Sequence, residues 1–441
     1  MPQTILLFAS LQDNGMDDIP PLPRGLTAPP NRGAPAGLLF VLVALCAHPA
    51  AAGDWPQILG PHRSGLADGE QLAETWPADG PKLEWQHAVG NGFAGAAVLG
   101  SRAVVFHRLG GELLGEGLDP TTGKVLWKVA FPTNYSSQVS YDDGPRCVPL
   151  LHEGRAFLLG PAGELQCVDL ATGKKLWYRN LYQEFDAPDG YFGAGSSPIL
   201  EGGKLLINVG GQDGAGIVAL SPADGKTIWK STDEAASYSS PTAATLDNVR
   251  HVMFVTRLNV VSIDPANGKV RFRFPFGARG PTVNAANPLI LGDHLFVSAS
   301  YGVGAKWAKI GAQAATTEWE SDDVMSSQYT TCVESGGFLY GIDGRQDVGV
   351  ARLRCVDPRQ GKVLWTKEGF GTGSLILADG KLVILSTEGV LTLANPSPQE
   401  FQPLATARLF DSTVQALPAL ASGRLLARDT KTLKCFRVGK L

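Results

Sequence analysis

The stretch Asp119-Pro120-Thr121-Thr122-Gly123-Lys124-Val125-Leu126-Trp127 constrains the fold more than any other part of the chain, because it returns. It reads as a turn feeding a strand: Asp and Pro open the bend, Gly admits a positive φ, and Lys-Val-Leu-Trp alternates polar and apolar side chains. Strand-ending aromatics of this kind fall at Trp85, Trp127, Trp177, Trp229, Phe272, Trp319, Trp365 and Phe410, 42 to 52 residues apart. That period belongs to a propeller blade made of four short strands. A second marker, a short apolar strand after a Gly/Asp turn, runs from Ala103-Val104-Val105-Phe106 to Arg424-Leu425-Leu426-Ala427 and also gives eight copies.

The expected fold is therefore all-β, an eight-bladed β-propeller of four-stranded antiparallel blades. A content of 53 glycines and 30 prolines, with only 18% charged residues, suits many strands and tight turns better than helices. The two marker series are out of step at the ends. Leu433 to Val438 has no Gly-Lys-x-x-Trp strand after it, and Leu83-Glu84-Trp85 has no blade before it. The N-terminal strand around Trp85 is thus expected to complete the last blade and close the ring, which leaves fewer free edges than an open array.

Three segments follow: 1–52 as a disordered leader and signal peptide, 53–76 as an N-terminal extension, and 77–441 as a single propeller. The leader is proline-rich, and Arg24 and Arg32 precede an apolar run from Leu38 to Ala47 and then Ala50-Ala51-Ala52, the three parts of a secretory signal. The run is too short to span a bilayer. Export to the periplasm or the medium is expected, with Met16 as an alternative initiator to Met1. Leu45 is bulkier than the residue a lipid-attachment signal normally presents, so no lipid anchor is expected at Cys46. The mature form is expected to be a monomer without a transmembrane span. A net charge of −4, a pI near 6.0 and the lack of a Lys/Arg-dense run argue against nucleic acid as a partner.

The unit Leu165-Gln166-Cys167-Val168-Asp169-Leu170-Ala171-Thr172-Gly173-Lys174-Lys175-Leu176-Trp177 resembles the pyrroloquinoline-quinone-type (PQQ-like) propeller repeat. That superfamily includes quinoprotein dehydrogenases and the non-enzymatic, BamB-like propellers of outer-membrane assembly. Trp55-Pro56-Gln57-Ile58-Leu59-Gly60-Pro61 also resembles the start of exported bacterial propellers of this type. The resemblance implies two functions. One is a non-catalytic envelope propeller that binds a protein or a glycan or other polymer on one face and needs no cofactor, which suits the compact length of about 390 residues from Gly53. The other is a quinoprotein oxidoreductase of alcohols or sugars using PQQ and calcium. Members of that enzyme family typically carry an adjacent Cys-Cys pair, a stacking Trp and a Glu/Asn/Asp calcium set; this chain has no Cys-Cys pair.

Residues recurring once per blade are expected to pack blades together, and this is the role assigned to Trp85, Trp127, Trp177, Trp229 and Trp365. Cys167, Cys355 and Cys435 fall at one repeat position in the third strand, and Cys147 and Cys332 are read as sharing one in the first. First and third strands lie ~9.6 Å apart, beyond disulfide reach, so free thiols are expected. The seven histidines are scattered without metal-ligand spacing, and no catalytic motif or metal site is expected. Function is left to the loops that lead from each Trp strand into the next blade. The ligand-binding candidates there are Asp142, Asp143, Arg146, Tyr191, Tyr238, Arg279 and Tyr329, with Tyr301 and Lys306 expected on the opposite face.

Overall fold

Each repeat folds into one antiparallel sheet whose strands, A to D, follow chain order outward from the ring axis. The computed structural model describes residues 53–440 apart from Ala78 and Gln138; the leader, its apolar run and Cys46 lie outside the described residues. Eight such blades make the propeller. Their A strands are Ala97–Leu99, Leu150–His152, Ile199–Glu201, Thr242–Leu246, Leu289–Leu291, Val333–Ser335, Gly373–Ala378 and Ala419–Ala421, and A strands of neighbouring blades touch around the axis. The ring closes on the strand that precedes blade 1: Lys82–Ala88 pairs antiparallel with Thr432–Arg437 and supplies strand D of blade 8.

The repeat motif explains how blades lock. In blade 2 the register runs from Cys167 opposite Trp177 to Val168 opposite Lys175, so Leu176 is extruded as a bulge, and the same slip occurs beside Trp85, Trp127, Trp229 and Trp365. The residue across from each of these indoles is small: Cys435, Gly117, Cys167, Ala219 and Cys355 face Trp85, Trp127, Trp177, Trp229 and Trp365. Each indole N–H then donates to a carbonyl in the C–D turn of the next blade, Trp127 to Leu170 at 2.9 Å and Trp177 to Pro222 at 3.0 Å. The motif glycine of that next turn lies against the ring. Gly123, at φ 72°, has no room for a Cβ over Trp85.

Blade 7 departs from the pattern. Its D strand is Gln402–Arg408, and the residue opposite Leu393, where other blades put the aromatic, is Ala405. Phe410, read from spacing as that blade's marker, sits beyond the strand, beside Phe436 and beneath Lys434. Phe410 falls near the repeat interval without holding the repeat position, because spacing alone does not register a strand.

All five cysteines of the described chain are buried and free. Cys147 and Cys332 do not share a position, since they lie one residue before and one after the equivalent residues Val148 and Thr331.

Residues 53–73 cross the opening of the channel on the side of the A–B turns. Trp55 exchanges two backbone hydrogen bonds with Val98 of blade 1, Pro56 accepts from Leu151 of blade 2, and Leu66–Ala67 adds a parallel strand to Gly373–Ala378 of blade 7. Asp54 caps Gly100 at 2.8 Å, and the Glu70 carboxylate accepts from Ser422 and Gly423 at 2.6 and 2.7 Å. Trp55 and Leu72 are fully buried in the core cluster shared by blades 1, 7 and 8.

Candidate functional site

With one mouth of the channel occupied by its own chain, the other mouth is framed by the D-to-A loops and the B–C turns, which share a face because successive strands alternate in direction. Its walls are tied together blade to blade. Val148 N–H donates to Ser197 Oγ, Ser197 N–H to Ser240 Oγ, Ser240 N–H to Asn287 Oδ1 and Asn287 N–H to Thr331 Oγ1, each at 2.8 or 2.9 Å. This belt fixes the loop ends just before the A strands, so the side chains above it project from a rigid rim.

Four residues ahead of the A strand stand Phe93, Arg146, Tyr238, Tyr329 and Gln415, in blades 1, 2, 4, 6 and 8. Three of the sequence candidates therefore occupy one ring around the mouth. Arg146 is clamped between two aromatic faces, its guanidinium carbon 5.1 Å from the Phe93 ring centre and 5.4 Å from that of Phe192. Tyr141, 76% exposed, meets Phe93 edge-on, and Phe192 meets Tyr238 the same way at 5.4 Å. Tyr238 hydroxyl accepts from the backbone N–H of Tyr191 and of Phe192, at 2.9 and 3.0 Å, which fastens the blade 2 loop to blade 4. Burial lowers the pKa of Arg146 while Tyr135 and Asp142 act against it; burial pushes the Tyr329 hydroxyl up to about 12.

A second set bars the mouth. Tyr141 hydroxyl donates to Gln415 Oε1 at 3.2 Å, Gln415 Nε2 to Gln346 Oε1 at 3.2 Å, and Tyr329 hydroxyl to the same Gln346 oxygen at 2.9 Å. Gln328 continues the line, donating from Nε2 to Tyr301 hydroxyl at 3.1 Å. Tyr301 thus lies on the same face as Gln328, not on the opposite one, and Lys306 sits near the same end of strand Gly304–Ile310, paired with Glu320. The B–C turn that carries Tyr301 opens toward the D-to-A loops, which strand alternation dictates. Beside this line are two cavities. One, about 530 Å³ at the seam of blades 5 and 6, is bordered by Tyr301, Asp322 and Arg345. The other, about 600 Å³ at the seam of blades 6 and 7, is bordered by Gln346, Thr372 and Arg408.

The remaining candidates do not join the ring. Asp142 is buried and its carboxylate accepts from Gly92 and Gly144 N–H at 2.9 and 2.8 Å, while Asp143 Oδ1 accepts from Ser137 N–H at 2.8 Å. Both acids shape the loop that carries Tyr141 and Arg146. Tyr191 is at the rim, 41% exposed. Arg279 is exposed on a loop whose flanking carbonyls, Ala278 and Gly280, are held by Arg257. Phe93 and Gln415 escaped the sequence reading, although counting back four residues from each A strand finds them.

Among the described residues no three His, Cys, Asp or Glu side chains are arranged for a metal ion. One cluster of such groups lies at the seam of blades 8 and 1, where Glu116 Oε2 accepts from His87 Nε2 at 2.6 Å and His107 Nε2 at 3.2 Å. Gly90 N–H donates to His107 Nδ1 at 3.0 Å, which leaves the proton on Nε2 and no lone pair for a metal there.

A family profile described as outer membrane protein assembly factor BamB matches residues 110–367, more than half of the chain. Among solved structures, BamB from Moraxella catarrhalis superimposes with a TM-score of 0.59 at 15% identity, covering 81% of this chain and 99% of that one. The quinohemoprotein alcohol dehydrogenase from Comamonas testosteroni gives 0.61 at 14% identity, covering 90% and 82%. At such identities the likeness is one of fold. A 1-butanol dehydrogenase (cytochrome c) of Thauera butanivorans is 32% identical over 103 residues, a match spanning 22% of this chain and 14% of that enzyme's length.

Proposed function

The chain belongs to the outer membrane protein assembly factor BamB family, and from that membership we propose that it is a non-catalytic propeller, exported to the periplasm or envelope, that binds a protein or polymer partner on its D-to-A face. The observation that carries this reading is the ring of Phe93, Arg146, Tyr238, Tyr329 and Gln415, with Tyr141 and Tyr191 exposed above it, on the mouth that the N-terminal segment leaves open. Aromatic side chains around an arginine are the residue types that dominate binding surfaces. In this reading Arg146, Tyr191, Tyr238 and Tyr329 meet the partner, and Asp142 and Asp143 hold the loop. No helix of the described residues is long and apolar enough to cross a membrane.

A second reading, a PQQ- and calcium-dependent quinoprotein oxidoreductase, draws support from the likeness to the Comamonas and Thauera enzymes. The donor set does not fit it. Calcium takes six to eight oxygen ligands, whereas at this mouth Asp142 and Asp143 are engaged by backbone N–H groups and Asp347 by Arg345 and Gln328, and no three acids converge among the described residues.

Two measurements separate the readings. With PQQ and calcium added to the purified protein, no saturable rise of the thermal midpoint and no dye-linked alcohol oxidation are expected; both together would overturn the binding reading. A photo-crosslinker placed at Tyr141 is expected to capture one envelope product, lost with Arg146→Ala, whereas a crosslinker at Leu126 on the outer rim captures none. Equal capture at the two positions would refute the assignment of the face.

A further inference from the structure

Below the ring of the mouth, the wall of the channel carries buried hydrogen-bond donors that have no acceptor among the described residues. Arg63 reaches in from the N-terminal segment and is 2% exposed. Its Nη1 donates to Gln57 Oε1 and Pro198 O and its Nη2 to Ser197 O, all at 2.9 Å, and Nε has no acceptor among the described residues. None of these partners is charged. Three more buried groups nearby have no partner among the described residues: Ser196 Oγ, Ser239 Oγ and Asn287 Nδ2. Hydrogen bonds made by Arg63, Asn287 and the residues next to the two serines run along one stretch of wall across blades 3 to 5. Arg63 holds the carbonyl of Ser197, next to Ser196; Ser197 N–H donates to Ser240 Oγ, next to Ser239; and Ser240 N–H donates to Asn287 Oδ1.

The chemistry of this stretch is one-sided. A guanidinium N–H and an amide NH₂ can only donate, and the two hydroxyls can donate as well as accept. A buried cation without a counter-charge is costly, and hydrogen bonds to neutral carbonyls do not remove its charge. Burial pushes Arg63 down to about 9, and an adjacent anion acts in the opposite direction. All four groups are at most 5% exposed, which restricts the ligand to a small ion.

We propose that Arg63, Ser196, Ser239 and Asn287 form a binding site for a small monovalent anion of the size of chloride, which fastens the N-terminal segment to blades 3 to 5. The ion neutralises Arg63 and accepts from Nε, the amide and the hydroxyls.

Bromide serves as the probe on the full chain. Sodium bromide is exchanged for sodium gluconate at constant ionic strength while the thermal midpoint is followed, and crystals grown in bromide are measured at its absorption edge. The expected result is a saturable midpoint rise of roughly 2 °C and an anomalous peak within hydrogen-bonding distance of Arg63 Nε. Arg63→Met should abolish the rise, and the Ser239→Ala, Asn287→Ala pair should weaken the apparent bromide affinity at least about tenfold. Parallel, unsaturating responses to bromide and gluconate would overturn the site. So would anomalous peaks confined to the outer surface, a result that decides the matter even if Arg63→Met fails to fold.

Discussion

Gly117 shows how much a single position of the repeat can demand. It lies across from Trp127 in blade 1, and a Cβ placed on it would fall 2.1 Å from the indole, so the ring itself occupies the space a side chain would need. Gly117→Val should therefore lower stability by about 1–3 kcal/mol through overpacking, seen as a lower urea midpoint at unchanged slope. Trp127→Ala should cost about 3–5 kcal/mol in the same assay. The tryptophans are legible in the sequence because they recur, and recurrence marks packing. Asp142 and Asp143 are the opposite case. Two adjacent acids in a long loop look like ligands, and only the folded loop turns their oxygens onto Gly92, Gly144 and Ser137 N–H groups. Arg63 carries no sequence signal at all, since a lone arginine between His62 and Ser64 looks solvated until the chain is threaded into the channel.

At the scale of elements, the seam where Lys82–Ala88 joins blade 8 to blade 1 concentrates titratable groups. Glu116, on strand Glu112–Leu118, is buried and contacts His87 of the closing strand, His107 of Arg102–Leu109 and Lys128 of Val125–Pro132, the last at 2.5 Å. Arg428 of Arg424–Arg428 packs over the same place, donating to Gly90 O and Phe106 O. Burial alone would raise the Glu116 carboxyl, yet the hydrogen bonds from His107, His87 and Lys128 hold it well below the usual carboxylate range. Burial lowers His107 below its ordinary 6.5, and Arg428 adds to the effect while Glu116 only partly offsets it. A histidine depressed in the folded state is protonated first in the unfolded chain. Its contribution is thus fully present above pH 6.5 and is lost as pH falls from there toward the folded value. Burial likewise lowers His251, and its contribution to stability is lost in the same direction. Urea unfolding at pH 8, 6.5 and 5.5 should show stability falling with acid by up to about 1.4 kcal/mol per pH unit for each such histidine. His107→Gln should flatten the slope, and an unchanged slope would contradict the assignment.

For the molecule as a whole, closure depends on chain segments far apart in sequence. A chain begun at Gly90 lacks strand D of blade 8 and the segment across the A–B mouth, so blade 8 would keep three strands and an open edge. Loss of cooperative unfolding is the expected outcome, checked by urea titration followed by circular dichroism. A chain begun at Pro77 keeps the closing strand and loses the segment 53–76, with the contacts of Asp54, Trp55, Arg63, Leu66–Ala67, Glu70 and Leu72. It should retain the propeller at a lower thermal midpoint, with faster amide exchange in Gly373–Ala378, the strand Leu66–Ala67 covers. Equal exchange with and without residues 53–76 would show that the segment does not protect the channel.

The sequence alone determined the eight blades, the closing strand around Trp85 and the packing part expected of the repeat tryptophans. These rest on local turn and strand chemistry repeated at a fixed interval, and repetition survives without coordinates. Tertiary structure decided what no interval encodes: that Ala405 and not Phe410 holds the blade 7 position, that Tyr301 joins the same face as Tyr329, and that the N-terminal segment fills the opposite mouth. The physical reason is one of direction. A period fixes how often a strand recurs, but the side of the ring on which a loop opens, and the neighbours it meets there, follow from strands up to about 350 residues apart in sequence being brought into register.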